Sequence, residues 1–367
     1  MENQHKRILA LDLIKGCSVI MMVIVHTLII YGSREAQAET FFGNFIRFLG
    51  KAPGIFLICM GITFMTSRNQ SLLSAIKRGG LLLLAALLMN FMKFMIPVMF
   101  DFVPDNYMTK FQWDAPIEWQ YLYLVLLGDI LHLAGMSLLF IGFIRTFVKN
   151  KFGILAIGLA VALVSRELHG LYTDIPVVNY VLDLIFHNEF PAYVYFPVFP
   201  WITFIILGMF FGKWFIEVNY DQAFLFKKIF IAGIIFVVLG LPLVYYYPEY
   251  HYNDFYYMGL GGVLYSAGLV LLALWLVYLL SFSIKQKAFV GILNYCSRNL
   301  TSMYIIQWTL ISWGKGIFGF RESGAVEVLL LIPLYMALTF LVQKLLDELI
   351  HIFKSKKDTV DLTKQTV

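Results

Sequence analysis

The sequence predicts an all-α, polytopic integral membrane protein of about ten transmembrane helices with both termini cytoplasmic. Three observations predict it. Hydrophobic residues fill 60% of the 367 positions and charged residues only 14%, more apolar surface than a soluble core of this length can hide. The apolar residues fall in stretches near the roughly 20 residues that a bilayer-crossing helix needs. Lys and Arg gather on both tails and on alternate connections, as the positive-inside rule expects.

Taken in order, the expected spans are 8–31, 45–66, 79–100, 120–145, 152–168, 195–216, 227–247, 257–282, 296–318 and 326–349. The first follows His5, Lys6 and Arg7 like a signal peptide, but it has no small-residue cleavage site and contains Asp12 and Lys15, so it reads as a retained helix. On the third, Asn90 and Lys93 are expected to snorkel outward. On the fourth, Asp129 and His132 stand three apart and face the same way, where they orient an imidazole, close a proton path or simply satisfy one another. Gly208 and Gly212 on the sixth form a small-xxx-small step for close packing. The run from Tyr245 to Tyr252 reads as an interfacial aromatic belt in preference to a sugar platform. The ninth span opens with an unusually polar stretch in which Asn299, Thr301 or Ser302 caps the helix or lines an inner vestibule. Residues 1–353 read as one domain and 354–367 as a polar cytoplasmic tail. The long odd-numbered connections at 101–119 and 168–195 are rich in aromatics, with acidic residues around Asp101 to Glu118 and Glu167 to Glu189; loops of this length tend to carry function.

A net charge of +5 does not point to nucleic acid, because the basic residues sit mainly between hydrophobic stretches, where they encode topology. Cys17, Cys59 and Cys296 form neither a disulfide framework nor a metal-ligand spacing, and no metal is expected.

Ionisable groups inside a span are functional hypotheses by default. Asp12, Lys15, Val19, Met22 and His26 succeed one another at spacings that place them on one face of the first helix. Eleven residues at roughly 1.5 Å each separate Lys15 from His26 by about 16 Å, so the two meet opposite ends of an elongated ligand if they meet one at all. A neutral imidazole there accepts a proton from an attacking hydroxyl or amine, or is itself acylated. The alternative is a structural histidine bonded to a neighbouring helix, with Asp12 and Lys15 neutralising one another. Arg68, Lys77 and Arg78, beside Gly79-Gly80, suit the phosphates of a nucleotide-bearing donor and equally suit a topology signal.

Together these pieces resemble the transmembrane acyltransferase superfamily, particularly its heparan-glucosaminide N-acetyltransferase-like and acyltransferase-3-like branches. The opening Arg7-Ile8-Leu9-Ala10-Leu11-Asp12-Leu13-Ile14-Lys15-Gly16, followed by His26, carries most of the resemblance. Similar as well are Phe56 to Gly61, Gly128 to His132, Phe199-Pro200-Trp201 with Gly208-Met209, and Arg298-Asn299 with Ser302 and Tyr304. The resemblance implies a cytoplasmic acyl-CoA donor, most economically acetyl-CoA, contacted by Lys15, Arg68, Lys77, Arg78, Arg298, Asn299 and Ser302. It implies acyl transfer at His26, with Asp12, Lys15, Asp129 and His132 in the same machinery, to a carbohydrate or lipid-linked glycan. A bacterial inner membrane is the expected location, membrane lipid a partner, and homodimerisation is left open. Two departures stand out: Lys15 occupies a place usually held by arginine, and Gln307 stands where relatives often have a histidine, which argues against a two-histidine mechanism. A proton-coupled transporter or flippase using Asp12, Lys15, Asp129 and His132 is the competing reading, and a membrane scaffold is the third.

Overall fold

The computed structural model describes residues 8–51, 53–109, 117–187, 194–284 and 286–365, with their side chains except at 108–109, 117–120 and 355–365. The opening His5-Lys6-Arg7 and the parts of the two long acidic connections at 110–116 and 188–193 lie outside the described residues.

The described chain runs through α1 (Leu9–Tyr31), α2 (Arg34–Ala38), α3 (Phe41–Leu49), α4 (Pro53–Thr66), α5 (Leu72–Asn90), a π-helical turn (Phe91–Met95), α6 (Ile96–Met99), α7 (Asp105–Thr109), α8 (Ile117–Leu126), α9 (Ile130–Phe147) and α10 (Lys151–Val164). It continues through α11 (Pro176–Phe186), α12 (Val198–Glu217), α13 (Gln222–Tyr246), α14 (Pro248–His251), α15 (Leu260–Ser281), α16 (Lys287–Arg298), α17 (Leu300–Trp313), α18 (Lys315–Phe318) and α19 (Ala325–Gln365). The fold is all-α and polytopic, as the hydropathy pattern requires. Among the described residues, eight helical stretches are long and apolar enough to cross a membrane: Leu9–Tyr31, Phe41–Thr66, Leu72–Met99, Ile130–Phe147, Val198–Glu217, Gln222–Tyr246, Leu260–Ser281 and Ala325–Lys354. The fifth and ninth expected spans correspond to α10 and α17, helices of 14 residues each. At about 1.5 Å per residue such a helix falls short of the ~30 Å hydrocarbon core.

Polar side chains set several helix starts by satisfying N–H groups that have no intrahelical partner. Thr40 accepts from the Gly43 amide at 2.9 Å, Ser71 from Ser74 at 3.2 Å, Asn150 from Phe152 at 2.9 Å and Asp221 from Phe224 at 3.0 Å. The π turn at Phe91–Met95 lies just ahead of Pro97. A proline ring crowds the carbonyl four residues earlier, here that of Lys93, and widening the turn relieves the crowding.

The chain divides into two compact units, built from the described residues of Met1–Ser18, Lys51–Met95 and Trp113–Ser297, and of Val19–Gly50, Ile96–Gln112 and Arg298–Val367. In the first, α12 is the central helix. Its Trp201, Phe204, Phe211 and Phe215 are almost wholly buried, and it packs against α4 and α10, while α5 pairs with α9 and α13 with α15. In the second, α17 packs against α19.

The expected close approach at Gly208 is present. A Cβ on Gly208 would lie 2.2 Å from the Ile58 carbonyl oxygen, and one on Gly61 would lie 2.0 Å from that of Ile205. Backbone cannot yield as a side-chain tip can, so Gly61→Ala is expected to destabilise the first unit by about 1–3 kcal/mol, as overpacking does. The control is Gly80→Ala, where a Cβ meets nothing within 4 Å. There the better helix propensity of alanine should add up to ~1 kcal/mol. Thermal unfolding in detergent reads both, and equal midpoints would contradict the packing account.

Candidate functional site

The first turns of α1 carry an ion pair. Lys15 Nζ lies 3.2 Å from Asp12 Oδ1, and the Ser297 hydroxyl donates to the same oxygen at 3.0 Å. Gly16 makes this possible: a Cβ there would stand 2.2 Å from the Leu293 carbonyl oxygen, so only glycine lets α16 approach α1 closely enough to bring in Ser297. Asp12 is buried and Lys15 half-buried. The pairing that the sequence offered as an alternative is therefore present, and any anion that Lys15 meets competes with Asp12. Asp12→Ala leaves a poorly solvated ammonium unpaired and is expected to destabilise the protein by about 3 kcal/mol, an effect that Lys15→Met in the same chain should largely reverse. Additive losses in the double variant would show that the pair is not coupled.

Farther along α1, in the second unit, His26 sits in a pocket of α17 side chains. Its ring stacks on Trp308, with centroids 3.9 Å apart and planes at 25°, and meets Tyr304 edge-on at 6.0 Å. Its Nδ1 faces the side-chain amide of Gln307, with Nε2 at 3.0 Å and Oε1 at 3.3 Å. Gln307 is fully buried, where an amide is tolerated only when hydrogen-bonded. A carboxamide can serve either ring tautomer. Its oxygen accepts from Nδ1–H, leaving the proton off Nε2, or its N–H donates to a bare Nδ1. Stacking and hydrogen bond together fix the plane and the tilt of the imidazole.

Asp129 and His132 do not lie within one continuous span. The segment expected at 120–145 is interrupted between α8 and α9, and Asp129 is the N-cap of α9. Its carboxylate accepts from the Ile130 amide, while its own N–H donates to His132 Nδ1 at 3.3 Å, a capping box closed by histidine. The Asn90 amide donates to the carbonyls of Val125 at 3.0 Å and Leu127 at 2.8 Å, satisfying oxygens that the break would otherwise strand. Asn90 and Lys93 therefore do not snorkel. Both are buried, and Lys93 Nζ lies 4.0 Å from Asp129 Oδ2. The broken backbone and the buried carboxylate supply the partners that the sequence reading sought in water.

Arg68, Lys77 and Arg78 are exposed, Arg68 before α5 and the other two on its first turns. Arg298 is exposed at the end of α16. Asn299 holds the N-cap position of α17 without a side-chain cap bond, and the Ser302 hydroxyl lies 3.0 Å from the Asn299 carbonyl oxygen and 2.6 Å from Gln343 Oε1. Among the described residues no group of three or more His, Cys, Asp or Glu is arranged to hold a metal.

A histidine fixed on α1, downstream of an Asp–Lys pair and a glycine that packs on backbone, accompanies a match of residues 7–252 to the family model of the heparan-alpha-glucosaminide N-acetyltransferase catalytic domain. The chain belongs to this family. No match to a curated protein was found. As a heparan-alpha-glucosaminide N-acetyltransferase family member with, among its described residues, eight stretches long and apolar enough to cross a membrane, it is an integral membrane protein of an acetyltransferase family. Asp12, Lys15, His26, Arg68, Lys77, Arg78, Asp129 and His132 fall within the residues matched to the family, whereas Arg298, Asn299 and Ser302, and Tyr304, Gln307 and Trp308 around His26, lie beyond them. Sequence reasoning took Gln307 only as a missing histidine. The helical spacing of Tyr304, Gln307 and Trp308 was the available sign that they share a face.

Proposed function

We propose that the protein moves an acetyl group from acetyl-CoA, approached from the cytoplasm, to a hydroxyl or amine of an extracytoplasmic carbohydrate or glycoconjugate, with His26 as general base or acyl-accepting nucleophile. The observation that carries this reading is the immobilised imidazole of His26 in a chain whose residues 7–252 match an acetyltransferase catalytic family. The exposed cations Arg68, Lys77, Arg78 and Arg298 suit the phosphates of the donor. Lys15, already balanced by Asp12, suits a polar group of the donor better than a full phosphate charge. Asp129 and His132 support the site by holding the broken helix. In this reading residues 1–353 act as one acyltransferase domain in a bacterial inner membrane with both termini cytoplasmic, followed by the polar tail.

The test is transfer of labelled acetyl from acetyl-CoA by purified protein in proteoliposomes to a panel of amino sugars and glycans. Label on an acceptor, lost in His26→Ala with folding intact, supports the reading. Failure to bind the donor at all would overturn it and favour transport.

A further inference from the structure

Within the first unit, at a distance in sequence from His26, a cavity of about 360 Å³ opens where the chain after α10, the chain before α12 and the loop before α15 meet. Its walls include Arg166, His169, His187, Tyr195, Asp254 and Tyr257. The volume falls at the lower end of the roughly 300–1,000 Å³ of small-molecule sites.

These walls are built, not incidental. His187 stacks on Tyr257 with centroids 3.7 Å apart, and His169 stacks behind it at 5.4 Å. Arg166 Nη1 donates to the Tyr257 carbonyl oxygen at 3.1 Å, and the Tyr257 hydroxyl donates to that of Val194 at 3.0 Å. The Tyr195 amide donates to the Gly128 carbonyl oxygen at 3.0 Å, tying the cavity to the break that Asp129 caps. His187 is held at φ +61° and ψ 141°, outside the left-handed helical well and strained for any residue with a side chain.

His187 is also a buried polar group with a vacancy. It is only 4% exposed, and its Nδ1 has no hydrogen-bond partner among the described residues. The imidazole bonds to the Val194 backbone through its other nitrogen. Burial, reinforced by the neighbouring His169 and opposed by the Val194 bond, pushes its pKa down to about 3. The ring is therefore neutral at physiological pH, and Nδ1 presents a lone pair that only a donor can satisfy. Asp254, exposed at the rim, is a second acceptor, and Arg166 supplies donors. Aromatic walls with two acceptors and a guanidinium suit a compact ring bearing several O–H or N–H groups. An acyl chain would leave His187 Nδ1 unmatched.

We infer that this cavity binds a saccharide ring, with a hydroxyl or amino group donating to His187 Nδ1 and another to Asp254, and that it is the recognition site for the carbohydrate acceptor. The second half of this inference rests on the proposed acetyl transfer. In the ten-span arrangement expected from the sequence, the 168–195 connection and the loop before α15 both fall on the outer side.

The experiment is saturation-transfer NMR with D-glucosamine and D-glucose on the full-length protein in detergent micelles, beside acetyl-transfer kinetics. Asp254→Asn, at an exposed position, and His187→Asn are each expected to weaken sugar binding at least tenfold. Each should raise the acceptor KM by a similar factor with kcat little changed. Undiminished binding in Asp254→Asn, with that variant folded as judged by its thermal midpoint, would overturn the site, as would absence of binding to either sugar. Sugar binding that depends on both residues without any acetyl transfer would leave the site standing and remove the transferase reading. Transfer with an unchanged acceptor KM in Asp254→Asn would do the reverse.

Discussion

His26→Ala is expected to lower acetyl transfer by about 10²–10⁴-fold if the imidazole acts as general base, the range such catalysis contributes. Loss is expected to be essentially complete if it carries the acyl group. The fold should survive, because His26 is half-buried and Trp308 and Tyr304 can close over a small residue. Rapid quenching with labelled acetyl-CoA and no acceptor separates the two roles. Label retained on the protein, and absent from the variant, identifies an acyl-histidine, whereas an unlabelled protein with intact turnover identifies direct transfer. Unchanged turnover in His26→Ala would remove this residue from the mechanism.

Gln307 should matter next most. In the proposed reaction, a hydrogen bond to the imidazolium that would form as His26 takes a proton is worth about 1.5–3 kcal/mol. Gln307→Leu, which retains the bulk but not the amide, is accordingly expected to lower kcat by about 10- to 100-fold with acceptor KM little affected. Gln307→Glu is the sharper test. A carboxylate against Nδ1 favours the protonated ring, so the pH at which His26 becomes an effective base must rise, and the ascending limb of the kcat/KM profile should move to higher pH. A merely structural Gln307 would lower stability in both variants and leave the limb where it was. In the proposed reaction the buried amide would take the orienting part that a second charged or titrating group often plays, without adding a charge to the membrane interior.

The glycines show how far sequence patterning reaches. Gly208 could be assigned to close helix packing because small-xxx-small spacing puts small residues on one helix face, and the face proved to abut α4 backbone. Gly16 belonged to a motif with no stated reason until Leu293 was found against it. The break at 127–129 escaped the hydropathy reading altogether, since the apolar run continues through it and only the Asp129–His132 capping pair marks the start of α9.

By itself the sequence determined that this is an all-α membrane protein, placed most of its spans, and set Asp12, Lys15 and His26 on one helix, because these follow from local composition and a 3.6-residue period. Only the tertiary structure decided what those side chains touch. Ser297 comes to Asp12 across 285 residues, Gln307 to His26 across 281, and His187 joins Tyr257 in the walls of one cavity. The physical reason is that a buried polar group must find its partner wherever packing brings one, and in this chain the partners came from helices far away in sequence, which no local pattern can name.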